Sequence, residues 1–126
     1  MRLGTRLVLA AAALASLAAF AVLAQAPRGK PTPAERTAVG AALYEKGLCN
    51  VCHGDDRKGN ENAPPLLGLR ANWDEERLAA YLKDPAKTRS TDPRVAALAE
   101  RYATMEMPPW EAPESERRAL AAWLLE

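Results

Sequence analysis

Cys49-Asn50-Val51-Cys52-His53 decides how this chain is read. The five residues contain both cysteines and the sole histidine of its 126 residues. Two thiols three positions apart lie on one side of a helical turn, where they can add to the two vinyl groups of a haem. The adjacent imidazole then faces the iron as its proximal ligand. Cys-x-x-Cys-His is the attachment site of covalently bound haem. The motif therefore predicts one haem c, bound through two thioethers by Cys49 and Cys52, with His53 as an iron ligand.

Other uses of these residue types fit the chain less well. A bare Cys-x-x-Cys also serves thiol–disulfide exchange, but that chemistry expects a thioredoxin-like βαβ pattern. No run of alternating β-branched residues supplies one. Structural zinc takes four ligands, usually as two separated pairs, whereas here three candidates crowd into five residues with no second pair. A disulfide closing so short a loop would stabilise little.

With 48% apolar residues, the chain has material for one domain with a modest core. Residues 1–26 read as a signal peptide. Arg2 and Arg6 make a positive start, Leu7 to Ala24 is uncharged with Ser16 as its only polar residue, and Ala24-Gln25-Ala26 has the small-x-small form of a cleavage site. Pro27 would follow that cut directly, so Val22-Leu23-Ala24 is a competing site. The apolar stretch is also near the length needed to span a bilayer, which makes an uncleaved anchor the alternative. Either way the domain is expected outside the cytoplasmic membrane, in the periplasm, on the side where haem c is attached. Contact with the membrane is expected only if the segment is retained.

Without residues 1–26 the chain has 15 basic and 16 acidic side chains, a formal charge of −1. It has no electrostatic footprint for nucleic acid. Residues 27–32 belong to a Pro-rich linker, leaving 33–126 as the folded domain.

The pattern there is all-α. Thr32-Pro33-Ala34-Glu35 is a capping box with proline at the first helical position, predicting a helix to about Glu45 or Lys46 that stops at Gly47. A short helical turn carries the haem motif, and Gly54 to Gly68 reads as loop. Asn72 with Glu75 suggests the cap of a second helix, striped by Leu78, Tyr81 and Leu82 and ended by Pro85. Asp92-Pro93 opens a third, with Val95, Leu98, Ala99 and Tyr102 at i, i+3, i+4 and i+7. Pro113, Glu114 and Glu116 start a last helix with Leu120, Trp123 and Leu124 on its inner face. About four helices therefore surround one haem, and the porphyrin must supply much of the core of a chain with so few aromatics.

With His53 committed, a second histidine ligand is excluded within one chain. The soft ligands left are Met105 and Met107, Met1 lying in the signal. Pro108 biases Met107 toward extended backbone, which favours Met107 on a loop as the distal ligand. Met105, nearer a helix end, suits core filling. A His/Met pair fills both axial positions and raises the potential, an arrangement for one-electron transfer rather than bond-making.

Residues 33–126 resemble a class I (mitochondrial-type) c-type cytochrome domain of the bacterial exported kind. Gly40 and Tyr44 are similar to the glycine and aromatic residue of that family's N-terminal helix, and Leu120 and Trp123 to their partners on the C-terminal helix. Cys49, Cys52, His53 and Gly54 match the haem motif, and Met107-Pro108 the distal methionine motif. Pro64-Pro65-Leu66 resembles the segment whose proline carbonyl accepts a hydrogen bond from the proximal imidazole. The family's Gly-Pro reads Ala63-Pro64 here, so the resemblance implies Pro64 as that acceptor, with Pro65 as the alternative.

The resemblance implies an electron-transfer protein with redox partner proteins as donor and acceptor and no catalysis of its own. Its rivals are a cytochrome subunit held in a larger oxidoreductase complex, a haem ligand-binding or sensing domain, and a haem-free thiol oxidoreductase. Trp123 is expected to pack between helices. Trp73, Trp110 and Arg70 are candidate partners of the haem propionates, and Asp55-Asp56-Arg57-Lys58 reads as a solvated loop.

Overall fold

In a computed structural model of the protein, residues 29–126 are described. The expectations for the signal segment fall outside them. Within Pro31–Glu126, which forms one compact unit, the described residues contain six α-helices and no strand: α1 Pro33–Lys46, α2 Cys49–His53, α3 Glu75–Lys83, α4 Pro85–Thr91, α5 Pro93–Arg101 and α6 Glu114–Leu124. A 3₁₀ turn, Leu69–Ala71, precedes α3. No helix among the described residues is long and apolar enough to cross a membrane.

The predicted capping box starts α1. The Glu35 amide donates to Thr32 Oγ1 at 3.2 Å, and the Thr32 amide donates to the Glu35 carboxylate at 2.6 Å. The helix ends where expected, but its left-handed residue is not Gly47. Gly47 keeps a right-handed conformation (φ −78°), and Leu48 turns the chain at φ 56°. Space explains the glycine instead, since a Cβ there would press on Cys49 Sγ, the Leu43 carbonyl and the Trp110 ring at 3.1–3.3 Å.

Two further expectations need correction. The cap of α3 is Asp74, whose carboxylate accepts from the Arg77 amide, while Asn72 accepts the Arg94 guanidinium. Pro85 does not simply end α3. It occupies the first turn of a further helix, α4, capped by Asp84 through the Lys87 amide. Asp84-Pro85 is the same cap-and-proline pair as Asp92-Pro93, so the signal for α4 was present, but its polar sequence shows no apolar stripe.

α6 lies across both α1 and α3. Leu43 and Tyr44 of α1, Leu78 and Leu82 of α3, and Leu120, Ala121 and Leu124 of α6 make the buried core, in which Leu120 and Ala121 are fully enclosed. The expected crossing of α1 and α6 is built from Gly40 against Trp123, with the Tyr44 and Trp123 rings 5.5 Å apart. α5 is different. It packs chiefly on α4, and its stripe of Val95, Leu98, Ala99 and Tyr102 faces a cavity rather than another helix.

Candidate haem site

The cavity has a volume of about 240 Å³ and apolar walls contributed by α3, α4, α5 and the loops before and after them. His53 reaches it from α2, and Met105 and Met107 from the chain after α5. A smaller space of about 30 Å³ adjoins Cys49, His53 and Met107. Cys49 and Cys52 are half-buried free thiols. No cluster of three or more His, Cys, Asp or Glu is placed to hold a metal ion among the described residues.

His53 is buried at 7% exposure, and its Nδ1 lies 2.8 Å from the carbonyl oxygen of Pro64. A carbonyl only accepts, so Nδ1 carries the proton and Nε2 keeps its lone pair. Burial pushes the imidazole below its ordinary pKa of 6.5, with the Pro64 hydrogen bond opposing, so the ring is neutral at pH 7. A neutral imidazole with a fixed tautomer is what iron ligation requires. Burial pushes the Cys49 thiol up, the reverse of the lowered pKa that activates a thiol for disulfide exchange.

The Pro64 carbonyl is held by a closely tied loop. The His53 carbonyl accepts from the Gly59 amide at 2.9 Å, the Asn60 side chain donates to the Cys52 carbonyl at 2.9 Å, and the Asn60 amide donates to the Ala63 carbonyl at 3.0 Å. Gly59 has a left-handed φ of 70°, and a Cβ there would stand 2.4 Å from the Ala63 carbonyl oxygen. Only glycine lets the two limbs of the loop approach so closely. From α1, the Tyr44 hydroxyl donates to the Gly54 carbonyl at 2.8 Å. Asn60 was not singled out from the sequence, where it is one polar residue in a run of them.

Met107 lies in irregular chain, as the following proline predicts, and packs against the core. That chain is pinned when the Trp110 amide donates to the Leu82 carbonyl at 2.8 Å. Met105 is 54% exposed. Of the other singled-out residues, Arg70 donates to the Leu125 carbonyl at 2.9 Å and so ties down the C-terminus. Trp73 lines the cavity and packs against Tyr81 in a tilted arrangement with ring centroids 5.2 Å apart. The Trp110 ring instead lies beside Gly47. Asp55, Asp56 and Lys58 are exposed as expected, but Arg57 is half-buried with its guanidinium 4.4 Å over the Trp123 ring.

The donor set fits a haem. One neutral imidazole offers Nε2 to a largely apolar cavity, two free thiols stand one and four residues before it, a thioether lies in the facing chain, and the apolar stripe of α5 needs a flat apolar partner to bury against. Comparison with known proteins agrees. The family model for Cytochrome c matches residues 37–126. No curated protein matches the chain, and no solved structure matches it.

Proposed function

Because the chain belongs to the cytochrome c family, whose members transfer electrons through covalently attached haem c, we propose that it is a periplasmic one-electron carrier with His53 and Met107 as axial ligands. When bound, the haem supplies a reversible one-electron couple at its iron. The observation that carries the ligand assignment is the pairing of His53 Nδ1 with the Pro64 carbonyl, which leaves Nε2 for the iron, while Met107 is packed inward and Met105 is exposed.

Each residue then has a defined part. Cys49 and Cys52 tether the porphyrin. Pro64 orients the imidazole and makes it a stronger donor. Met107 would supply the second protein ligand to the iron, which would exclude oxygen and substrate from it. Leu78, Val95 and Leu98, which line the cavity, would help to exclude water from a bound porphyrin. Leu48 and Val51, 68% and 72% exposed, flank the two cysteines, so apolar surface is offered to a partner beside the tethered edge. Docking there is transient, with a small interface. The protein does no bond-making chemistry of its own; redox partners supply and accept the electron.

Carbon monoxide tests the closed iron. The reduced protein at neutral pH is expected to bind it slowly and weakly, whereas ready binding would favour a ligand-sensing haem and count against a carrier.

A further inference from the structure

Among the described residues, φ is positive at five positions. Three are glycines (Gly54, Gly59 and Gly68), and two are not (Leu48 and Arg57). Arg57 has φ 61° in the middle of the loop that carries Pro64. A glycine would adopt that conformation without steric cost. An arginine there is strained, and its side chain must offset the strain.

The Arg57 side chain makes no ion pair among the described residues, although Asp55 and Asp56 precede it directly. Its guanidinium lies over Trp123, the residue at the α1–α6 crossing. The Arg57 backbone is bound in both directions. Its amide donates to the Gly54 carbonyl at 3.2 Å, and its carbonyl accepts from the Leu66 amide at 2.8 Å. The Leu66 bond closes the loop two residues beyond Pro64. A path therefore runs from Trp123 to Arg57 by ring contact, to Leu66 by a hydrogen bond, and along the chain through Pro65 to the Pro64 carbonyl that orients His53.

We propose that Arg57 is a positioning residue for the proximal ligand: stacked on Trp123, it holds the Gly54–Leu66 loop closed and thereby keeps the Pro64 carbonyl on His53 Nδ1. The proposal rests on His53 as iron ligand. A shorter-lived Nδ1–H···O bond makes the imidazole a poorer donor, which disfavours the ferric state and raises the potential. The planar guanidinium is suited to the role because it stacks on an indole face, which an ammonium does less well.

The test compares wild type, Arg57→Gly and Arg57→Lys as haem-loaded full chains, by midpoint potential and by hydrogen exchange of the His53 Nδ1–H observed by NMR. Arg57→Gly removes the backbone strain together with the stacking. If Arg57 were only a loop residue, that variant would be as stable as wild type or more so, with potential and exchange unchanged. The proposal expects the potential to rise and exchange to quicken by about tenfold or more, with smaller changes of the same sign in Arg57→Lys. Unchanged potential and exchange in Arg57→Gly overturn it. If that variant is not recovered folded, wild-type values in Arg57→Lys do so. Absence of an iron-shifted His53 Nδ1–H signal in wild type would instead refute His53 as ligand.

Discussion

Gly40 on α1 and Trp123 on α6 meet so closely that a Cβ added to Gly40 would stand 2.1 Å from Cγ and 2.2 Å from Cβ of the tryptophan. The contact is with the stem of the side chain, which cannot swing aside without leaving the crossing. Tyr44, one turn further along α1, covers the same indole and donates to the loop after the haem motif. The crossing thus fixes both helices and the start of the ligand loop.

Gly40→Ala is therefore expected to force α1 and α6 apart. Overpacking of a filled contact costs about 3 kcal/mol at this severity. Chemical denaturation should show a lower midpoint at an unchanged m-value, and a midpoint within error of wild type would show that the crossing can relax.

Tyr44 makes stability pH-dependent at the alkaline end. Burial raises its phenol from 10.0 to about 12, against the opposing charge of Arg57. The folded protein thus favours the protonated phenol that donates to Gly54. This contribution is whole below pH 10, where the unfolded tyrosine is still protonated, and is lost as pH rises toward 12. Tyr44→Phe should cost about 1 kcal/mol at pH 7 and should lose less stability than wild type between pH 10 and 12. Parallel alkaline curves for the two proteins would contradict this.

Much of the fold could be read from local chemistry. The Thr32–Glu35 box, the Asp92-Pro93 start and the inner face of α6 are each encoded within one or two turns, and all three formed as expected. α4 escaped because a polar seven-residue helix carries no periodic stripe, and its cap residue resembled a helix end. At the site, the haem motif is contiguous and therefore legible. Arg57 was not, because its meaning depends on Trp123, which is 66 positions away and reaches it only through the helix crossing. The bond that Arg70 makes was not legible either, for the same reason: its carbonyl partner belongs to Leu125.

Attachment through both cysteines predicts a simple result on denaturing gels. Wild type should retain haem after unfolding, each single change to serine should retain it through one thioether, and Cys49→Ser with Cys52→Ser should lose it. Haem staining that survives in the double variant would place the covalent link elsewhere.

The axial pair is tested most directly by the iron–thioether charge-transfer band of the oxidised protein. It should be present in wild type and in Met105→Ala and absent in Met107→Ala. Loss of the band in Met105→Ala with retention in Met107→Ala, or its absence from wild type, would contradict a His53/Met107 carrier.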